Sequence, residues 1–109
     1  MKILLDENID IRMKYLFPME YEIYTVKDMG WNGVKNGRIL QLIAENNFDY
    51  WIVVDKNIPY QQNLKTLPCV IIIMNLLKNT LISIRPLMPE LLLILKQPLL
   101  EKVIVINSK

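Results

Sequence analysis

The sequence predicts an α/β domain with a mostly parallel sheet of four or five strands, in a core order of about 2-1-3-4. Three observations carry this. Short apolar runs alternate with stretches of helical periodicity, the pattern of βαβ units. The runs at 50–54 and 69–74 are almost continuously apolar, as in strands covered on both faces. The runs "KILL" and "YWIVV" each stop abruptly at a carboxylate, Asp6 and Asp55.

Residues 2–5 form the first strand. Over residues 8–17, Ile9, Met13, Leu16 and Phe17 recur at i, i+4, i+7 and i+8. That spacing puts them on one face of a helix, and Pro18 stops it. Residues 21–26, "YEIYTV", are rich in strand formers. A loop follows with glycines at 30, 33 and 37. Asn36 is the expected cap of a helix running to about Asn47, with Ile39, Leu40, Leu42 and Ile43 inside. Residues 50–54 and 69–74 are strands three and four. From Asn79 to Lys96 the pattern is helical but carries Pro86 and Pro89. It reads as a short helix, a break, and a second helix starting near Pro89. "KVIVIN" (102–107) is a last strand at an edge.

Right-handed crossovers give the order 2-1-3-4. In such sheets the ligand crevice lies beyond the carboxyl ends of the strands, at the point where the order reverses. Here that point falls between strands one and three. Asp6 and Asp55 end those two strands, so two acids are expected to face one crevice.

Composition narrows the chemistry. The 109 residues fit a single domain spanning 1–109, long enough for a core without disulfides or metal staples. The chain is 52% apolar, which favours a folded globular protein over a disordered chain. A net charge of +2, with basic residues spread along the chain, excludes a basic tail but leaves room for an RNA-contacting face. The single cysteine, Cys69, lies in an apolar run and reads as a core thiol. With no histidine, a Ser-His or Cys-His triad and the usual zinc sites are excluded. The start meets acidic residues before any apolar stretch long enough for a signal peptide. "TLPCVIIIMNLL" is too short to span a bilayer. The expectation is a protein of the reducing cytoplasm, with no membrane partner.

A carboxylate cluster without histidine suits a hard cation such as Mg²⁺ or Mn²⁺. These ions take oxygen ligands and keep several waters, so one or two carboxylates plus a substrate phosphate suffice. Such a metal activates water and polarises a phosphodiester. The plainer alternative is that strand-end acids cap the following turn. Trp31, in "GWNG", either stacks a base or anchors its loop on the core. Lys27, Lys35, Arg38, Lys56 and Lys65 lie in or near the carboxyl-end loops, where they either hold a phosphate backbone or are solvated charges. The amides of "YQQN", Gln61 and Gln62 among them, share that rim. No P-loop or dinucleotide fingerprint is present.

The order "ILLDEN … YTVKDMGWNGVKNGRILQLIAENNFDYWIVVDKNIPYQQNL" resembles a group of small, single-domain PIN-like proteins. The resemblance covers roughly residues 1–96 and rests on "LLDEN", "MGW", "KNG..L" and "VDKN..YQQNL" together. It implies a three-layer parallel α/β fold whose acidic cluster binds Mg²⁺ or Mn²⁺ and cleaves RNA. Such proteins often act as the toxin of a toxin–antitoxin pair, with an antitoxin protein as partner, and often pair as homodimers. Asp6 then matches the first metal ligand and Asn8 the polar residue two places on. Asp55 matches the aspartate of a T-x-D-x-[DN] pattern, with Val53 in the threonine place and Asn57 in the last. Glu7 and Asp28 are nearby acids that complete the cluster, Glu7 toward the metal and Asp28 toward catalysis. Arg38 stands where relatives are expected to carry an acid. A charge there matters, since unit charges about 4 Å apart interact by about 4 kcal/mol at an effective dielectric of about 20. Arg38 and Lys56 are the expected grips on substrate phosphate.

Two other readings use the same residues. A receiver domain would take phosphate on Asp55 beside Asp6 and Glu7. It lacks the hydroxyl expected at the end of strand four ("MNLL") and the lysine at the end of the last strand. A PIN-like binding module that has lost its acidic cluster is the other, and Arg38 is its argument.

Overall fold

The computed structural model describes residues 1–54, 67–97 and 101–108. Five parallel strands form one sheet: β1 (Lys2–Leu5), β2 (Glu22–Thr25), β3 (Tyr50–Val53), β4 (Val70–Asn75) and β5 (Val103–Asn107). Their order is β2-β1-β3-β4-β5, so the expected 2-1-3-4 core is present and β5 extends it at one edge. The helices are α1 (Asn36–Glu45), α2 (Leu81–Ile84) and α3 (Met88–Leu95).

Strand alternation divides the core in two. Ile3, Leu5, Tyr50, Ile52, Ile72, Met74 and Ile106 face one side, where Met13, Phe17, Ile84, Leu87, Leu91 and Leu95 cover them. Leu4, Trp51, Val53, Ile71 and Ile73 face the other, against Ile39, Leu40 and Ile43 of α1. The result is three layers, and it explains why β1, β3 and β4 read as unbroken apolar runs: both faces are covered. Cys69 is buried in the α1 layer, where desolvation pushes its thiol up to about 12.

The first helix differs from expectation. Residues 11–16 form a 3-10 turn rather than an α-helix over 8–17. The Ile9 N–H bonds back to the Asp6 carbonyl at 3.0 Å, which closes a turn first. Asp10 then caps the segment through the Arg12 N–H, and Phe17 is extended ahead of Pro18. Between that cap and that stop only six residues remain, a length 3-10 geometry fills. The buried side is still the expected one: Ile9, Met13 and Phe17 are covered and Leu16 half-covered.

The cap of α1 also differs. Lys35, extended at φ −70° and ψ 152°, is the N-cap, and its carbonyl takes the first helical bond from the Ile39 N–H at 2.9 Å. Asn36 is therefore the first helical residue and caps nothing. The helix ends at Glu45, before Asn47, because Asn47 turns left-handed at φ 59°. The Phe48 N–H reaches the Ile43 carbonyl at 3.2 Å and the Asn47 N–H reaches Ala44 at 3.4 Å. This is the paired-bond stop usually built on glycine. Asn47→Gly is therefore expected to be neutral or slightly stabilising. Asn47→Val should cost about 1–2 kcal/mol, because a β-branched side chain is strained at that φ. Urea unfolding of the two variants checks this.

Downstream, Thr80 caps α2 through the Ser83 N–H. A 3-10 turn over Arg85–Leu87 carries Pro86, and α3 begins with Pro89 in its first turn. This is the expected helix, break and helix. Among the described residues no helix is long and apolar enough to cross a membrane.

Candidate functional site

The carboxyl ends of β1 and β3 lie side by side, with Leu5 opposite Ile52. The chain leaves β1 toward β2 on one side and returns to β3 on the other, so this is where the strand order reverses. Asp6 sits at that point. Its N–H bonds to the Ile52 carbonyl at 3.0 Å and its carbonyl takes the Ile9 N–H, so its backbone is held from both sides. The residue is only 8% exposed. Asp55, Lys56, Asn57, Gln61 and Gln62 lie outside the described residues. Asp55 follows the end of β3 by two places in the sequence, with Val54 half-buried between.

The other expected site residues are placed as follows. Glu7 is exposed, and its carboxylate accepts the Gly33 N–H at 3.1 Å. That bond draws the glycine loop toward the end of β1. Gly33 has φ +78°, where a side chain would be strained. The same loop is pinned by Trp31, whose ring meets Phe48 edge-on at 6.0 Å and whose backbone N–H donates to the Val26 carbonyl. Trp31 therefore anchors the loop on the core. Asn8 is exposed, and its backbone carbonyl accepts the Asn79 side-chain amide.

Asp28 holds the turn after β2. Its carboxylate accepts the Thr25 N–H at 2.9 Å, and the Thr25 hydroxyl accepts the Asp28 N–H at 2.9 Å. Lys14 adds an ion pair at 3.4 Å from the 3-10 segment. The Thr25 N–H, with Lys14 and the Thr25 hydroxyl assisting, holds the Asp28 carboxyl below its ordinary range. A lowered carboxylate contributes stability that is full above the unfolded pKa of about 3.9 and is lost as pH falls through the folded value. The stability gap between the wild type and Asp28→Asn is therefore expected to be widest at neutral pH and to close between about pH 5 and pH 2. Urea midpoints across that range measure it.

Arg38 lies in the first turn of α1 but bonds along the helix, to Gln41 at 2.9 Å and to Glu45 at 4.0 Å. Both ends of the longer pair are more than half exposed, so it contributes little. Among the described residues no group of three acid, cysteine or histidine side chains converges as a metal site. Glu7 is turned to the Gly33 N–H of the glycine loop and Asp28 to the Thr25 N–H at the end of β2 instead.

Sequence reasoning passed over one cleft. Ile11, Arg12, Lys14 and Tyr15 of the 3-10 segment face Thr25, Lys27 and Asp28 across a space of about 390 Å³. It lies at the carboxyl end of β2, the neighbour of β1. The cations come from two distant stretches of chain, so no local spacing marks them. A local signal exists for the turn alone: Thr25-x-x-Asp28 has the spacing of a reciprocal cap.

No family model, curated protein or solved structure matches the chain. Fold and site therefore define its class alone: a parallel α/β domain with a buried carboxylate at the reversal point of its sheet.

Proposed function

We propose that this chain is a metal-dependent endoribonuclease of the PIN-like type. On this reading it is the toxic member of a toxin–antitoxin pair in the cytoplasm, with RNA as substrate and a cognate antitoxin protein as partner. The observation that carries the reading is the position of Asp6. An acid fixed at the carboxyl end of β1, beside the end of β3, stands where a ligand crevice is expected.

The donor chemistry fits a hard cation. Asp6 offers carboxylate oxygen, Asp55 follows β3 in the sequence, and the chain has no histidine. One or two carboxylates suit Mg²⁺ or Mn²⁺, which keep waters and share the substrate phosphate. Asp6 and Asp55 would hold the ion, which when bound supplies an activated water and polarises the phosphodiester. The chain's own part is positional. The backbone bonds to Ile52 and Ile9 fix where the Asp6 carboxylate starts. Glu7 and Trp31 hold the glycine loop against the crevice.

The test is cleavage of a mixed RNA pool by purified protein with Mg²⁺, with Mn²⁺ and with chelator. Cutting that needs the metal is the expected result. Folded protein that neither cuts RNA nor binds metal by calorimetry would replace this reading with the second one, a non-catalytic binding module. One observation favours that second reading: Glu7 and Asp28 are both spent on backbone N–H groups, leaving no third acid for the cluster among the described residues.

A further inference from the structure

Beside the crevice, two clefts share a ridge. The first, of about 390 Å³, lies between the 3-10 segment and the turn after β2 and holds Arg12, Lys14 and Lys27. The second, of about 340 Å³, is lined by Phe17, Pro18, Met19, Tyr21 and Ile23 below the β2 edge. Lys14 and Tyr15 line both. Tyr15 stands out from the surface, 76% exposed, with the Lys14 ammonium 5.7 Å from its ring.

An exposed aromatic ring is an unfavourable thing to leave in water, and Tyr15 does not stand alone. Three cations surround the first cleft, and two are already oriented. Asp10 takes the Arg12 Nε and Nη2 hydrogens, at distances of 2.6–3.2 Å. The pair of hydrogens on the other Nη stays available, and the guanidinium plane is fixed. Lys14 is directed by Asp28 in the same way and keeps two further donors. Lys27 is exposed and makes no ion pair among the described residues. These pairs are solvent-facing, so exchanging a carboxylate for a phosphate costs little.

Cations interleaved with an exposed ring are what a single-stranded nucleic acid needs: charge for phosphates and a flat face for a base. We infer that the ridge formed by Arg12, Lys14, Tyr15 and Lys27 binds single-stranded RNA, with a base on Tyr15 and adjoining phosphates on the three cations. The strand then runs from the β2 edge toward the end of β1. This deepens the nuclease reading, on which it rests for the direction of the strand, but binding at the ridge needs no metal.

The experiment is fluorescence anisotropy of a labelled 12-nucleotide oligouridylate, in chelator so that nothing is cut. Wild type is compared with Tyr15→Ala, Lys27→Glu and Lys96→Glu. Lys96 closes α3, lines neither cleft, and makes the same charge change. Tyr15→Ala and Lys27→Glu are each expected to weaken binding about tenfold, the scale of one stacked base or one inverted phosphate contact. Lys96→Glu should change it less than about twofold. The salt slope should be near −2 if three phosphates are contacted, and shallower in Lys27→Glu. Equal weakening by Lys96→Glu would reduce the effect to net charge and overturn the ridge. So would unchanged binding in both ridge variants, or no binding by wild type. If RNA is cut with metal while the ridge variants bind and cut normally, the nuclease stands and the ridge falls. If the ridge binds RNA that is never cut, the ridge stands and the nuclease falls. A ridge that ignores RNA but captures a second protein through Tyr15 and Met19 is a protein interface, and the inference is wrong.

Discussion

Asp6→Asn is expected to lower metal-dependent RNA cleavage at least about 100-fold while leaving the fold intact. The size follows from the metal-ligand role proposed for the residue. Partners that only orient a metal ligand typically carry 10–100-fold in affinity or activity, so the ligand itself should exceed that. The change keeps the side-chain shape and removes the charge. The backbone bonds at Asp6, to Ile52 and from Ile9, involve no carboxylate oxygen and survive it. The urea midpoint, measured beside the activity, separates lost chemistry from lost structure. Mn²⁺ affinity by calorimetry should fall with activity. Asp55→Asn should behave alike. A variant at Asp6 that keeps more than about a tenth of the activity would mean that the crevice at the end of β1 is not where the reaction takes place.

The largest stability effect is expected at Trp51. It is fully buried in β3, against the α1 layer. Trp51→Ala removes the largest side chain of the core and should cost about 3–5 kcal/mol. For a domain whose total stability is about 5–15 kcal/mol, that is at least about a fifth. Trp51→Phe is the informative companion. The Trp51 Nε1–H is buried and meets no acceptor among the described residues, and an unsatisfied buried donor carries a penalty of about 1–3 kcal/mol. Phenylalanine loses volume but also removes that donor, so the two effects oppose. Trp51→Phe should cost about 1 kcal/mol, at least about 2 less than alanine. Denaturant unfolding of both variants measures the difference. Equal losses would show that volume alone governs the site.

The sheet was legible because its signals are local and strong. Apolar runs of three to six residues, bounded by polar residues or proline, mark β1, β3 and β4, and the handedness of crossovers then leaves few orders. The 3-10 segment was misread because Ile9, Met13 and Phe17 keep a four-residue spacing that fits an α-helix. What decides the geometry is the turn at Asp6–Ile9 and the cap at Asp10, which shorten the segment from its start. The cap of α1 was misplaced by one residue because asparagine is a better cap than lysine in isolation. In the folded chain, the loop pinned by Trp31 and Gly33 delivers Lys35 already extended.

The site was legible only in part. Asp6 stands out because a carboxylate ending a buried strand is rare in an apolar context. The engagements of Glu7 with Gly33, and of Lys14 with Asp28, join residues far apart in the chain. No spacing rule reports such meetings. Arg38 sits where sequence placed it, yet its side chain bonds to its own helix rather than to the crevice.

The strand order also has a consequence in time. β1 is made first but stands inside the sheet, with β2 on one side and β3 on the other. Ile3 must wait for Tyr50 to emerge before its second edge is covered. No adjacent pair in the sheet is a hairpin, so no early local pairing nucleates it, and folding should be slow for a chain of this size. During synthesis, the most apolar part of the N-terminus carries an open edge until the middle of the chain appears, at about 5–20 residues per second. A chain stopped before β3 exposes the backbone of β1 and the whole underside of Leu4. Truncated translation products are therefore the form in which this protein is most exposed to aggregation and to proteolysis.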